Sequence, residues 1–176
     1  DLHNNQLSGA VPAEFGRLVE LQYLDLHNNQ LSGAIPPDFG NLTKLQELAL
    51  GNNRLSGVIP PEFGNLADLR DLDISYNALR GPVPATITSL TLLWVPLGDS
   101  HHPIVDLGYN QLWTDDPTVQ AFLNTRVPGW SSTQQVAVRI VSSSMDGTLQ
   151  MSSQQGGRVS AYIPYGAVTE ATTVVC

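Results

Sequence analysis

Residues 31–42 have the sequence LSGAIPPDFGNL, and residues 55–66 repeat it almost letter for letter as LSGVIPPEFGNL. The two copies are 24 residues apart, and the same spacing extends the match in both directions along the chain. A phenylalanine recurs with this period at Phe15, Phe39 and Phe63. A period of about 20–30 residues with regular leucines is typical of a solenoid, in which each coil buries its apolar face against the next.

Alignment of the copies gives the pattern LxxLxLxxNxLSGxIPxxFGxLxx. The coils cover residues 1–20 (partial), 21–44, 45–68, 69–92 and 93–116 (irregular). The LxL segment alternates, which predicts a short strand with inward leucines that stacks in parallel with its neighbours. The glycine of LSG suits a turn with an unusual backbone angle, and the proline of IP follows a second short strand.

An asparagine follows each predicted strand at a fixed place in the coil. These residues are Asn5, Asn29, Asn53, Asn77 and Asn110. An inward-facing amide needs hydrogen-bond partners, because a buried polar group without one is costly. We therefore expect the five amides to form a ladder with backbone groups of their own coil and of the adjacent coil.

With its LSGAIP and LSGVIP segments, the pattern over residues 1–113 resembles the plant-specific subclass of leucine-rich repeats, which also occurs in bacterial and algal surface proteins. The resemblance implies an α/β-type solenoid with a concave parallel β-sheet and a convex side of short helical or 3-10 segments. It further implies recognition of a protein, peptide or glycan ligand rather than catalysis.

The repeat is interrupted after residue 92, where Pro96 takes a leucine position and cannot donate into a strand ladder. Nine inserted residues, LWVPLGDSH at 93–101, predict a loop that either binds a ligand or is a tolerated irregularity. The pattern returns at Val105. Asp116 suits a helix N-cap and Pro117 its first position, which predicts a capping segment with a helix over 117–130.

The solenoid is expected to span residues 1–133 and an incomplete all-β segment residues 134–176. The stretch DLGYNQL…DDPTVQAFLN…PGW resembles the closing segment of bacterial leucine-rich repeat proteins, which favours a bacterial source. The run GTLQ…GGRVSAYIPYGAV resembles the opening of a β-sandwich domain of ankyrins and netrin receptors. Because the chain begins within a repeat motif, we interpret it as a fragment of a longer protein.

Composition excludes several classes of function. The net charge of −8 argues against nucleic acid as a partner. One cysteine, Cys176, permits no internal disulfide, and no apolar run is long enough to span a membrane. The sequence contains no HExxH motif, cysteine pair or phosphate-binding glycine loop, so it predicts neither an enzyme nor a cofactor.

The outward positions of the predicted concave sheet are the candidate ligand-binding residues. They are Tyr23, Asp25, His27, Glu47, Asp71, Asp73, Ser75, Tyr76, Asp106 and Tyr109. This acidic and partly aromatic set favours a basic or polar partner, and the alternative is a solvated repeat surface that binds nothing.

The pairs Asp25–His27 and Asp1–His3 lie on one face of successive strands, where they form either a weak metal site or a duplicated repeat feature. We favour duplication and predict no metal site.

The predicted function is recognition by a non-catalytic module of a larger extracellular or cell-surface protein, with no membrane span in this segment. Two alternatives remain open at this point. The solenoid is either a structural spacer or adhesin stalk, or the targeting module of a larger enzyme or receptor.

Overall fold

The structure is a computed structural model that describes residues 1–93, 105–127 and 129–134, together with the strand backbones at 139–140, 148–152 and 158–162. The inserted segment after Leu93 lies outside the described residues. The described part of residues 1–134 forms stacked coils with parallel strands and 3-10 helices, which confirms the predicted solenoid.

Coils 2–5 each contribute a strand to two parallel sheets, and coil 1 contributes a strand to the second sheet only. The first, called the concave sheet here, contains β2 (Tyr23–Asp25), β4 (Glu47–Ala49), β6 (Asp71–Asp73) and β8 (Val105–Asp106) in that order. The second contains β1 (Ser8–Ala10), β3 (Gln30–Ala34), β5 (Arg54–Gly57), β7 (Ala78–Pro82) and β9 (Gln111–Trp113). The glycine of each LSG turn is left-handed, as at Gly57 with φ of 84°, which a residue without Cβ adopts freely.

The opposite side of the coils is formed by short 3-10 helices. They cover Ala13–Arg17, Pro37–Asn41, Pro61–Asn65 and Ala85–Ser89. Each of these helices follows a proline with an extended backbone, such as Pro60 with φ of −61° and ψ of 130°. The Pro60 carbonyl accepts the first helical hydrogen bond, from the N–H of Phe63. These segments confirm the predicted 3-10 character of the convex side.

The core is one continuous cluster that runs through the whole stack. Phe39 and Phe63 are completely buried, and Ile87 takes the same place in the next coil. Phe15 in the first coil is half-buried, because it contacts a neighbouring coil on one side only. Stacking therefore creates the apolar interior that no single coil possesses.

The repeated asparagines bridge neighbouring coils through their side-chain amides. Asn53 Nδ2 donates to the carbonyls of Leu26 and Leu50, and its Oδ1 accepts from the N–H of Leu31. Asn29, Asn77 and Asn110 make the equivalent bonds. The amide of Asn5 donates only within its own coil, to the carbonyls at positions 2 and 3.

The ladder continues one step beyond the asparagines, through Gln134. Its Oε1 accepts from the N–H of Leu112, and its Nε2 donates to the carbonyls of Leu107 and Trp130. Gln134, which the sequence analysis assigns to the tail, is thus hydrogen-bonded into the solenoid.

The last coil is followed by helix α1 (Pro117–Arg126), which packs against the 3-10 helix of the fourth coil. The Asp116 carboxylate caps it by accepting from the N–H groups of Thr118 and Val119. The helix ends at Arg126 rather than extending to 130, because Val127 precedes a proline and leaves the helical conformation, with φ of −133° and ψ of 71°. A separate 3-10 helix, Trp130–Thr133, buries the Trp130 ring.

The described parts of the tail form strands of one antiparallel sheet, in agreement with the β-structure predicted there. They are β10 (Arg139–Ile140), β11 (Thr148–Ser152) and β12 (Arg158–Tyr162), with β11 in the middle.

Candidate functional site

Strand register places the predicted site residues in two columns across the concave sheet. In the first column Tyr23 pairs with Glu47, and Glu47 pairs with Asp71. The second column contains Asp25, Ala49, Asp73 and Asp106. The strand-borne candidates therefore lie together on one face, and Tyr23 is among the most exposed of them at 59%.

The aspartates of the second column also stabilise the turn that follows each strand. Oδ1 of Asp25 accepts from the N–H of His27, and Asp73 and Asp106 accept in the same way from the residues two positions on. Coil 3 carries Ala49 at this position, so it lacks the carboxylate that the neighbouring coils have.

Ser75 does not lie on the exposed surface, contrary to the sequence prediction. It is only 5% exposed, and its hydroxyl donates to Oδ1 of Asp73 at 2.6 Å. The His27 ring makes the equivalent contact with Asp25 in coil 2, but its larger side chain remains 32% exposed, whereas the short serine is covered. Ser75 thus orients the Asp73 carboxylate.

Two stacked ring pairs stand at the carboxyl ends of the strands. The rings of His3 and His27 are 4.7 Å apart and almost parallel, and those of Tyr76 and Tyr109 are 4.0 Å apart with a 13° tilt. Tyr76 and Tyr109 have φ of 50° and 54°, a left-handed backbone that is rare for bulky side chains. A hydrogen bond with the Tyr109 side chain is the largest cause of the raised pKa of Tyr76.

A second asparagine ladder, which was not predicted from the sequence, occupies the same turn in the first three coils. Asn28 Nδ2 donates to Asn4 Oδ1 at 2.7 Å, and Asn52 Nδ2 donates to Asn28 Oδ1 at 2.5 Å. The sequence signal was available, because the position before each ladder asparagine is Asn, Asn, Asn, Tyr and Tyr in successive coils. The ladder ends where Tyr76 replaces the amide.

A shallow groove of about 350 Å³ crosses the middle of this surface. It is lined by His27, Asn28, Gly51, Asn52, Asp73, Ser75 and Tyr76. Gly51 leaves an empty position where coil 2 presents the His27 ring. The Asp73 carboxylate reaches into that space, and a Cβ at Gly51 would overlap with both of its oxygens.

The surface around the groove carries negative charge. Its outward strand positions hold Asp25, Glu47, Asp71, Asp73 and Asp106 without an intervening lysine or arginine. The pKa of Glu47 is raised, first by burial and then by the neighbouring charges of Asp71 and Asp25. Such a surface attracts a cationic group.

One cluster has the composition of a metal site. His3, Asp25 and His27 offer ligand atoms within 4.8 Å of one another, and His27 Nδ1 lies 2.6 Å from Asp25 Oδ1. Asp73 and Asp106 make the same turn bonds without a following histidine, so repeat geometry alone explains the aspartate. The pairing of Asp with His remains attributed to duplication.

Comparison with known sequences and structures places this surface in a known architecture. A model of leucine-rich repeats in two copies matches residues 19–68, and a single leucine-rich repeat matches residues 68–90. Residues 19–90 are therefore leucine-rich repeats. No curated protein matched the chain.

Solved structures of plant receptors resemble the repeat region. The ectodomain of the receptor kinase SOBIR1 from Arabidopsis thaliana is 32% identical with a TM-score of 0.58, over 68% of this chain and 60% of that one. The Arabidopsis receptor kinase HAESA, in complex with the peptide hormone IDA and the co-receptor SERK1, is 35% identical with a TM-score of 0.59. That match covers 74% of this chain and 19% of HAESA.

A third structure, of the plant peptide hormone receptor RGFR1 in complex with RGF2, is 37% identical with a TM-score of 0.57. It covers 64% of this chain and 16% of that one. The matches therefore cover less than two thirds of each of these solved chains. The matches do not support the predicted bacterial source or the β-sandwich resemblance of the tail. No helix in the described ranges is long and apolar enough to cross a membrane.

Proposed function

We propose that this leucine-rich repeat segment is a non-catalytic recognition module that binds a peptide segment of another protein on its concave sheet, outside the cell. The observation that carries the proposal is the groove at coil 3, which is open to solvent and bordered by histidine, tyrosine and carboxylate side chains. Several of these side chains are exposed and add little to the core, as Tyr76 shows at 51% exposure.

The similar structures support the proposed recognition function. The RGFR1 and HAESA structures contain peptide hormones, and the SOBIR1 structure is an ectodomain. An extracellular or cell-surface location and a peptide rather than a glycan partner are proposals by analogy with them. A bacterial source and a β-sandwich that begins at residue 134 rest on sequence resemblance alone.

The size of the surface limits the affinity. Four strands at about 4.8 Å each span roughly 20 Å, and a stable interface usually buries about 800 Å² on each partner. We therefore expect this chain alone to bind its partner weakly, with further contacts supplied by additional coils or a co-receptor.

Selection of peptides from a random displayed library on the 176-residue chain tests the proposal. Selected peptides should lose binding to a Glu47→Lys, Asp71→Lys double variant. They should retain binding to an Asp38→Lys, Asp68→Lys variant, whose two exposed carboxylates lie outside the concave sheet and give the same change in net charge. Failure to select any peptide, or equal loss with both variants, would show that the surface is a spacer.

A further inference from the structure

The groove at coil 3 is bordered by the free faces of two stacked aromatic pairs. Tyr109, in coil 5, covers one face of Tyr76, and the opposite face is turned toward coil 3, where Tyr76 lines the groove. In the same way His3, in coil 1, covers the far face of His27. Coil 3 contributes no ring, because its matching positions are Gly51 and Asn52.

The open space at coil 3 lies beside the Tyr76 ring. Gly51 and Ser75 take the position that the His27 ring holds in coil 2, whereas Tyr76 takes the next position, after Asn28 and Asn52. A planar group that enters the groove can contact the Tyr76 ring at about 3.5–4.0 Å. The Asp73 carboxylate then lies beside that group, next to Gly51.

Hydrogen-bond acceptors converge on the same space. The Ser75 hydroxyl and N–H both bond Oδ1 of Asp73, so the Asp73 carboxylate is held in a fixed orientation at the groove floor beside Gly51. Asn52 donates its Nδ2 to Asn28, and no amide follows it in coil 4, which leaves Asn52 Oδ1 outside the ladder.

Charge selects the type of group. Among the described residues that line the groove there is no lysine or arginine, whereas Asp73 lies within it, Glu47 is on the neighbouring strand β4 and Asp25 is on β2. A neutral sugar would stack on the Tyr76 ring but would leave these carboxylates without a cation. A lysine would supply the positive charge, but its ammonium group is not planar and cannot stack on the ring as a guanidinium does.

We propose that this groove is a subsite for an arginine side chain of the peptide partner, with the guanidinium stacked on Tyr76 and hydrogen-bonded to Asp73. This assignment rests on the proposed recognition function and names the chemistry of one of its contacts. A guanidinium is planar, permanently charged and rich in donors, and so matches a carboxylate beside an aromatic face.

The probes are three acetylated and amidated tripeptides, Gly-Arg-Gly, Gly-citrulline-Gly and Gly-Lys-Gly. Each is titrated into the ¹⁵N-labelled full chain, and amide shifts are followed by NMR. We expect the arginine peptide to shift Gly51, Asn52 and Tyr76 in a saturable manner. The citrulline peptide, which is planar but uncharged, and the lysine peptide should bind at least about fivefold more weakly.

Two variants locate the site without disturbing the fold. Tyr76→Asn extends the Asn4–Asn28–Asn52 ladder and places a residue that tolerates the left-handed backbone, so it should remain folded. Asp73→Asn keeps an oxygen to accept from the Ser75 N–H but removes the charge. Each should weaken arginine binding about fivefold or more, and Asp38→Asn on the convex side should not change it.

The outcomes separate this inference from the function on which it rests. Equal binding of arginine and citrulline peptides, or unchanged arginine binding in Tyr76→Asn, would overturn the arginine subsite. A neutral oligosaccharide that shifts the same amides when the arginine peptide does not would also overturn it. If library-selected peptides still depend on Glu47 and Asp71 in those cases, recognition by the concave sheet stands. If no peptide binds, both proposals fall.

Discussion

Asn53 hydrogen-bonds across the coil boundary to Leu26, with 3.0 Å between its Nδ2 and the Leu26 carbonyl oxygen. The same amide accepts from the N–H of Leu31, so one side chain satisfies backbone groups of coil 2 while its Nδ2 also bonds its own coil. Asn5, by contrast, donates only within coil 1. The position of each asparagine in the stack, rather than its residue type, therefore decides how much it contributes to the stability of the fold.

Replacement of Asn53 by alanine should destabilise the chain by about 1–3 kcal/mol, because buried backbone groups lose their partners. Asn5→Ala should lower the free energy of unfolding by clearly less, because Asn5 is exposed and water can replace its hydrogen bonds. Urea unfolding monitored by circular dichroism measures both changes in the free energy of unfolding. Equal losses would contradict the dependence on position in the stack.

Gln134→Ala should destabilise by a similar amount, about 1–3 kcal/mol, because the buried N–H of Leu112 then has no acceptor. Gln120→Ala, at an exposed position of α1, is the control and should change stability by less than about 0.5 kcal/mol. If the two variants unfold at the same denaturant concentration, Gln134 does not contribute to the ladder.

Gly40→Ala should be destabilising for a steric reason. A Cβ at Gly40 would lie 2.6 Å from both Cβ and the backbone oxygen of Glu62 in the next coil, so the two coils would have to separate. We expect a loss of about 1–3 kcal/mol in the free energy of unfolding, as for other overpacked sites.

Thr88 provides the matched control, because it holds the same place in coil 4 and already carries a side chain. Thr88→Ala removes only an exposed hydrogen bond to the Ala85 carbonyl and should change stability by less than about 0.5 kcal/mol. A fully stable Gly40→Ala variant would show that the coil spacing is not limited by this contact.

Glu47→Gln should stabilise the fold in a pH-dependent manner. The pKa of Glu47 is raised above 4.5 in the folded state, so the folded chain holds this proton more tightly than the unfolded chain. The ionised carboxylate therefore disfavours folding, with a penalty that is absent below the unfolded pKa and develops as pH rises above it. Thermal unfolding should show a higher midpoint for Glu47→Gln at about pH 7 and no difference at about pH 3.5.

Glu14→Gln removes an exposed carboxylate from the convex side and serves as the control. It should not reproduce the effect of Glu47→Gln. A midpoint for Glu47→Gln below that of the parent chain at about pH 7 would mean that the Glu47 carboxylate is stabilised by a partner rather than strained by its neighbours.

Periodicity was sufficient to predict stacked coils with parallel strands, whereas the 3-10 helices of the convex side were expected from the family resemblance. Leucines that recur every 24 residues require stacked coils, because an isolated coil cannot bury them, and the predicted strands and 3-10 helices are present. The N-cap of α1 was also predictable, because capping by Asp116 involves only local geometry. The helix end was misplaced, although Pro128 in the sequence is a reason for Val127 to leave the helix.

The recognition surface was only partly predictable, since the alternation of a strand identifies which residues face outward but not how far their side chains extend. Ser75 shows the limit, because its hydroxyl turns back to Asp73 and buries it. The groove at Gly51 exists only because stacking brings residues of coils 2, 3 and 4 together around one space. The sequence by itself determined the coils, because the strand, turn and cap of each repeat depend on interactions between residues that are close in the chain. Contacts between residues 24 or more positions apart decided the shape and chemistry of the site.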